Sequence, residues 1–210
     1  MLKSRRTALA YLGASALAAA CASAHDEIAT PAETEGPFFP VDTNVERDAD
    51  MTRLAGRAER AAGQAIKMRG RVLGLDGRPI SSARVEVWQA NAAGRYAHPG
   101  DSGNTAPLDP NFQGYALVET GPDGGFSVTS IKPGAYLVSN LGQRTPHLHW
   151  MIVAGARRLT TQSYFPGEPL NEVDFVIRAM SEPVRQLIVR AGAAGEAGAL
   201  GFDWNIVLPA

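Results

Sequence analysis

The stretch Ala83-Arg84-Val85-Glu86-Val87-Trp88-Gln89 decides the fold class, because alternate side chains along it belong to two different faces. Val85 and Val87 share one face, and Glu86 and Trp88 share the other. This period of two is typical of a β-strand. Runs of the same kind recur on both sides, separated by turn dipeptides such as Asp76-Gly77 and Pro133-Gly134. The predicted strands cover residues 67–73, 83–89, 126–131, 135–138, 147–153, 174–177 and 202–207.

Seven or so short strands with frequent turns predict an all-β fold, an antiparallel β-sandwich, over residues 65–210. Residues 25–64 have little periodicity and are predicted to form an N-terminal arm. The arm contains Thr34-Glu35-Gly36-Pro37-Phe38-Phe39-Pro40, an extended segment with an aromatic pair. Helices are predicted only at 50–62 and 182–190, and residues 191–201 are predicted to form a loop. The architecture is therefore an arm followed by one β-domain with few short helices.

Composition and charge exclude several classes of protein. The chain has 210 residues, is 45% hydrophobic and carries a formal net charge of -1. A chain of this kind can bury one sizeable core, which excludes a disordered or fibrous protein. The balanced charge gives no field that would gather phosphate backbones, so we expect no nucleic-acid partner.

The first 24 residues predict a signal peptide. They combine a basic start at Lys3, Arg5 and Arg6, an apolar stretch over 8–20, and the small residues Ala22-Ser23-Ala24. The pair Arg5-Arg6 resembles a twin-arginine signal, and the general secretory route is the alternative. We therefore expect a periplasmic or extracellular protein.

A membrane anchor is the other interpretation of this segment. An anchor needs about 20 apolar residues, whereas the apolar stretch here is shorter and is interrupted by Gly13 and Ser15. We therefore expect no membrane span. Cys21 is the only cysteine, so no intrachain disulfide can form. It leaves with a signal cleaved after Ala24, or becomes a lipidated N-terminus if cleavage precedes it.

Histidine is the residue type that points to chemistry. No cysteine remains after signal cleavage, and the chain has neither a Gly-x-Ser-x-Gly nucleophile motif nor a glycine-rich phosphate loop. His147 and His149 flank Leu148 in a predicted strand, so both imidazoles lie on one face and Leu148 lies on the other. This spacing suits two ligands of one metal ion, and two structural histidines are the alternative.

A third ligand is not evident among carboxylates, because no Asp or Glu lies within ten positions of His149. Tyrosine is the remaining candidate. A phenol binds metal as the phenolate, so a hard, strongly acidic cation must lower its pKa from about 10, and ferric iron meets this requirement. Four tyrosines follow the signal peptide: Tyr96, Tyr115, Tyr136 and Tyr164.

Six segments together resemble the intradiol ring-cleaving dioxygenases, and are most similar to the protocatechuate dioxygenases. In chain order they are TEGPFFP (34–40), VEVWQANAAGRYAH (85–98), DPNFQGY (109–115), SIKPGAY (130–136), RTPHLHW (144–150) and TQSYFPGEPL (161–170). The resemblance implies a β-sandwich enzyme that cleaves a catechol-type aromatic, protocatechuate or a relative, with O2 to a cis,cis-muconate derivative. It implies non-haem Fe(3+) as the cofactor and leaves a homo-oligomer open.

The resemblance also assigns roles to individual residues. Tyr96, Tyr136, His147 and His149 match the positions of the iron ligands, and Tyr136 matches the tyrosinate that is released to accept a substrate proton. Arg144 matches an arginine that stabilises negative charge developing on the substrate ring. Gln162 matches a glutamine near the oxygen-facing side of the pocket. The alternative function is a secreted β-sandwich module that binds carbohydrate or another polymer without catalysis, for which the two tyrosines would not be needed.

Overall fold

The protein is described by a computed structural model that covers residues 27–42, 46–138, 141–182, 185, 192–194 and 199–210. The predicted signal peptide and nearly all of the predicted helix at 182–190 lie outside these residues. Within them, no helix is both long enough and apolar enough to cross a membrane.

One sheet is built around β1 (Ala65–Leu73). Strand β4 (Gly125–Ile131) pairs with β1 in antiparallel register, with Met68 opposite Val128. On its other edge β1 pairs in parallel first with β10 (Leu200–Asp203) and then with β11 (Ile206–Val207). A further short strand, β9 (Gly192–Ala194), pairs antiparallel with β10.

The second sheet has four antiparallel strands in the order β3-β2-β7-β8. They are β2 (Arg84–Trp88), β3 (Tyr115–Glu119), β7 (His147–Ala154) and β8 (Arg157–Tyr164). Along β7, Leu148, Trp150 and Ile152 join the main hydrophobic core, which also takes residues from the first sheet. The intervening His147 and His149 face away from this core, as the period of two predicts.

The predicted all-β sandwich is confirmed, with parallel pairs of β1 as an addition to the antiparallel pattern. Its short connecting elements include the hairpin of β5 (Tyr136–Val138) and β6 (Gly142–Arg144), and one four-residue helix, α1 (Phe175–Arg178). Two 3-10 turns complete the described elements, at Pro99–Asp101 and Pro169–Glu172.

Several predicted elements are wrong. Residues 174–177 form α1 and its N-cap instead of a strand, because the Asp174 carboxylate accepts the N–H groups of Val176 and Ile177. Residues 50–62 form turns and a bridge to β4 instead of a helix. The predicted final strand is two strands, and residues 192–194 pair with β10 although a loop was predicted there. Strands β3, β6 and β8 were not predicted.

The N-terminal arm runs along the sandwich and is hydrogen-bonded to β11 and to β8. The N–H of Thr30 donates to the carbonyl of Val207, and the N–H of Glu33 donates to the carbonyl of Thr160 in β8. These bonds bring residues 33–38 over the ends of β2, β7 and β8, whose side chains are buried. The same ends carry the histidines of β7, so the arm covers the candidate site.

Candidate active site

The structure brings together the four side chains that the resemblance assigns to the metal. Tyr136 Oη lies 3.3 Å from His147 Nε2, which lies 3.1 Å from His149 Nε2, which in turn lies 3.2 Å from Tyr96 Oη. The rings of Tyr96 and Tyr136 meet edge to face, with centroids 5.3 Å apart. All four side chains are buried. Their donor atoms therefore converge on one point.

Three separate parts of the fold position these donors. His147 and His149 alternate with Leu148 on β7, and Tyr136 begins β5 directly after the irregular segment 132–135. Tyr96 lies in the loop after β2, where its N–H donates to the buried carboxylate of Asp101 at 2.8 Å. This bond fixes the loop that carries Tyr96, whose phenol oxygen would bind the metal.

His147 has the protonation state that a metal ligand needs. Its Nδ1 lies 2.6 Å from the carbonyl oxygen of Thr145, which can only accept, so Nδ1 carries the proton and Nε2 presents a lone pair. Burial, reinforced by the charge of Arg144, holds its pKa well below the usual range. The imidazole is therefore neutral at physiological pH, as metal binding requires.

His149 is held by packing. Its ring stacks on the indole of Trp88, with centroids 5.0 Å apart and an angle of 11° between the planes. On another side the backbone of Gly36 approaches so closely that a Cβ there would lie 3.1 Å from His149 Cε1. Burial holds its pKa well below the usual range, and the nearby His147 and Arg144 lower it further. Its Nδ1 is buried without a protein partner.

The two tyrosines would stay neutral without a cation. Burial raises the pKa of both phenols, and for Tyr96 the neighbouring Tyr136 raises it further. Two neutral imidazoles and two phenols that must lose protons form a donor set suited to a hard, highly charged cation, which would supply the positive charge that ionises them. The residues therefore fit ferric iron. Across the described residues, no cluster of three or more His, Cys, Asp and Glu is placed to hold a metal.

Arg144 is buried beside this cluster. Its Nε donates to Asp174 Oδ2 at 2.9 Å, and its Nη2 donates to Gln162 Oε1 at 2.7 Å. The arginine is 4% exposed and Asp174 is fully buried, so this is not a surface ion pair. Asp174 also accepts the N–H of Thr145, two residues before His147. The carboxylate thereby connects α1 to the strand that carries the histidines.

The other two candidate tyrosines lie outside the donor cluster. Tyr115 donates its hydroxyl to Glu86 Oε2 at 2.7 Å. Tyr164 lies next to Arg144, with its hydroxyl 3.3 Å from Arg144 Nη2 and 2.7 Å from Glu33 Oε2. The geometry thus chooses Tyr96 and Tyr136 from the four candidates, as the resemblance implies.

Residues of the N-terminal arm cover the donor cluster. The ring of Phe38 packs on Tyr96 with centroids 4.7 Å apart and lies 6.1 Å from that of Tyr136. The carbonyl of Thr34 accepts a hydrogen bond from Gln162 Nε2 at 3.0 Å. A cleft of about 640 Å3 opens beside Tyr136, between the arm and the turn at Pro99–Asp101.

Comparison with known proteins places the chain in a family. A family described as Dioxygenase matches residues 34–210, which is most of the chain. The protocatechuate 3,4-dioxygenase beta chain of Burkholderia cepacia is 39% identical over 168 residues, covering 77% of this chain and 71% of that protein. The chain belongs to the intradiol ring-cleavage dioxygenase family. It is by this membership an aromatic ring-cleavage dioxygenase, and the non-catalytic binding module is set aside.

Three further similar proteins have lower sequence identity to this chain. Catechol 1,2-dioxygenase 2 of Acinetobacter lwoffii is 34% identical over 190 residues, covering 80% of this chain and 64% of that relative. Among solved structures, the dioxygenase domain of a dioxygenase and carbohydrate-binding protein fusion from Streptomyces sp. SirexAA-E is 25% identical, with a TM-score of 0.65 over 87% of this chain and 99% of that domain. The 3-chlorocatechol 1,2-dioxygenase of Rhodococcus opacus 1CP shares the fold, with a TM-score of 0.67, 22% identity, and coverage of 85% and 72%.

Sequence reasoning missed four residues that shape the site: Glu33, Thr145, Tyr164 in its contact with Arg144, and Asp174. Two of them could have been recognised from sequence patterns. Asp174 precedes a short apolar run, where an aspartate can cap a helix, and Tyr164 lies two residues after Gln162, on the same face of a strand. Glu33 left no such pattern, because its partner Tyr164 is 131 positions away.

Proposed function

We propose that this protein is a non-haem Fe(III)-dependent intradiol dioxygenase that cleaves protocatechuate or a related catechol with O2 to a cis,cis-muconate derivative. The observation that carries the proposal is the convergence of two imidazole nitrogens and two phenol oxygens, spaced 3.1 to 3.3 Å along the cluster. Tyr96, Tyr136, His147 and His149 would hold the iron. When bound, ferric iron supplies a Lewis acid that makes the catecholate ring reactive toward O2.

The protein supplies the bases and the electrostatic environment. Tyr136 lines the cleft through which an aromatic substrate can enter, so its Oη is placed to accept a catechol proton. No carboxylate is then needed as the base. Phe38 forms an apolar wall of the same cleft and excludes water from the ring.

Arg144 stabilises negative charge on the substrate. Its guanidinium is held from two sides by Asp174 and Gln162, so it does not have to reorganise when charge develops on the ring. The planar guanidinium, fixed in this way, presents its N–H donors in a defined geometry, whereas the ammonium of a lysine is a single charge on a flexible side chain. Gln162 contributes by orienting the arginine through its Oε1.

Oxygen uptake tests the function. The protein loaded with ferric iron is mixed with protocatechuate, catechol and hydroxyquinol, and O2 consumption and the ring-opened product are measured. We expect uptake with one or more of the three, and a visible charge-transfer band from iron-bound tyrosinate before substrate is added. A colourless iron-loaded protein that consumes no O2 with any of them would refute the proposal.

A matched pair of variants distinguishes the loss of a metal ligand from the general effect of removing a buried tyrosine hydroxyl. Tyr96→Phe should lose iron and the visible band, because it removes one of four protein ligands. Tyr115→Phe removes a tyrosine hydroxyl that bonds Glu86 outside the cluster, and this variant should retain both. Equal iron content and colour in the two variants would contradict the ligand assignment.

We also propose that the protein is exported, with residues 1–24 as the signal. The support is the basic start, apolar stretch and small-residue end of that segment. N-terminal sequencing of protein recovered from the periplasm should begin at His25. Recovery of intact Met1 from the cytoplasm alone would contradict export.

A further inference from the structure

The arm contributes a carboxylate to the network that holds Arg144. Glu33 Oε2 accepts the hydroxyl proton of Tyr164 at 2.7 Å, and the same hydroxyl oxygen lies 3.3 Å from Arg144 Nη2 and 3.1 Å from Gln162 Oε1. The other oxygen of the carboxylate, Oε1, is buried without a protein partner. The backbone N–H of Glu33 is bonded to Thr160, so the arm cannot easily withdraw it.

The direction of these hydrogen bonds matters, because Tyr164 has one proton and two acceptors within reach. When the proton points to Glu33, the lone pairs of Tyr164 Oη face Arg144, and Gln162 Oε1 is also free to accept from Arg144. When the proton points to Gln162 instead, it competes with Arg144 for Oε1. The carboxylate is the nearer and stronger acceptor, since charged acceptors make shorter and stronger hydrogen bonds.

We propose that Glu33 is a positioning residue of the active site, which fixes the Arg144 guanidinium by accepting the Tyr164 proton and leaving two acceptors for Arg144. It acts through Tyr164 and does not touch the substrate. The inference rests on the proposed function for its effect on turnover, whereas its effect on Arg144 exists in the metal-free protein as well.

Two substitutions distinguish a role of the Glu33 hydrogen-bond geometry from a role of its charge. Glu33→Gln keeps the length of the side chain and an oxygen that can accept from Tyr164, but loses the charge. Glu33→Asp keeps the charge and is one methylene shorter, so its carboxylate cannot reach Tyr164 with the arm bonded to Thr160. Positioning predicts that the glutamine variant works better than the aspartate variant. A purely electrostatic role predicts the reverse.

Turnover is measured at pH 8 with equal iron content in all proteins. We expect Glu33→Asp and Glu33→Ala to lose roughly 10- to 100-fold in kcat, the range for loss of a hydrogen bond to a charged group, with iron content unchanged. Glu33→Gln should stay within about threefold of the parent. In a Tyr164→Phe background, Glu33→Ala should cause less than about a twofold further loss, because the path to Arg144 is already broken. Independent, additive losses would overturn the proposal.

Glu35→Gln is the matched control, because Glu35 lies two residues along the same arm and pairs with Arg158 at the surface. It should leave turnover unchanged. A loss equal to that of Glu33→Asp would assign the effect to the arm as a whole and overturn the specific role of Glu33.

A second readout does not depend on turnover. In metal-free protein labelled with 15N-arginine, the Arg144 Nε–H signal is identified by its loss in Arg144→Lys. We expect this proton to exchange slowly with water in the parent and in Glu33→Gln, and at least about tenfold faster in Glu33→Asp. Unchanged exchange in Glu33→Asp would overturn the positioning role. If the iron-loaded parent consumes no O2, the proposed function fails, and the exchange measurement still decides the role of Glu33.

Discussion

Replacing Glu33 by glutamine should change the stability of the protein in a pH-dependent way. Burial raises the pKa of the Glu33 carboxyl from 4.5 to about 7, although the hydrogen bond from Tyr164 and the charge of Arg144 partly offset burial. Asp174 is the other charged group that acts on this carboxyl, and it raises the pKa slightly. The folded protein therefore holds a proton on Glu33 in a range where the unfolded chain has released it.

The sign and size of this pH dependence follow from the linkage between proton binding and folding. A raised carboxyl pKa means that ionised Glu33 opposes folding, so its contribution is most favourable below pH 4.5 and is lost as pH rises to 7. With about 1.36 kcal/mol per pKa unit, the cost is about 0.8 kcal/mol at pH 5 and about 3.3 kcal/mol at pH 8. Glutamine does not titrate. The free energy of unfolding of Glu33→Gln minus that of the parent should therefore increase by about 2.5 kcal/mol between pH 5 and pH 8.

Thermal unfolding of the two metal-free proteins measures this difference. For a chain of this size, 1 kcal/mol corresponds to about 2 to 4 °C, so the gap between their melting temperatures should change by about 5 to 10 °C. Any pH-independent effect of the amide cancels in this comparison. Glu35→Gln should show a small gap at both pH values, because exposed ion pairs contribute less than about 1 kcal/mol. A gap for Glu33→Gln that stays constant within about 2 °C would refute the reasoning.

Three further substitutions test the site. His147→Ala should reduce iron affinity by more than the roughly 10- to 100-fold that loss of an outer partner costs, as measured by iron content after competition with a chelator. Arg144→Ala should retain iron and colour but lose about 100- to 1,000-fold in turnover, and should lower stability by about 3 kcal/mol or more because Asp174 remains buried without its cation. Gly36→Ala should destabilise the protein by at least about 1 kcal/mol, because φ is +74° and the new Cβ would press on His149. An unchanged melting temperature would show that the arm moves to accommodate the new side chain.

The sequence predicts the histidine pair well because the pattern is local. His147 and His149 share a face whenever residues 147–149 are extended, whatever lies on the neighbouring strands. Strand β8 shows the opposite case. Its sequence, RRLTTQSY, lacks alternation, because polar residues lie on both of its faces. Thr161 and Ser163 pair with the core residues Trp150 and Leu148, so the core face of this strand is polar as well as the site face. The hydrophobic alternation from which strands are usually predicted is therefore missing.

Local composition also misled the prediction at residues 174–177. The run Phe175-Val176-Ile177 is rich in residues that favour strands, but the Asp174 side chain satisfies two N–H groups that begin a helix. The arm was predicted to be extended, but its contribution to the site was not. Glu33 and Thr34 contact residues about 130 positions away, and no periodicity carries such a relationship.

The two groups of residues in the site are paired across the strands. His147 lies opposite Tyr164 and His149 opposite Gln162 in the β7–β8 register, while Tyr136 lies opposite Arg144 in the β5–β6 register. Three of the four candidate ligands therefore face three members of the network that holds the arginine, at Cα separations of about 4.5 to 5.5 Å typical of antiparallel pairs. A slip of either register by one residue would turn each partner to the opposite face. The hydrogen bonds of these two strand pairs thus also fix the distance between the candidate ligands and the Arg144 guanidinium. For this reason the arm, which bonds Gln162 and Tyr164 directly, can influence the positions of the candidate ligands through the strand pairs.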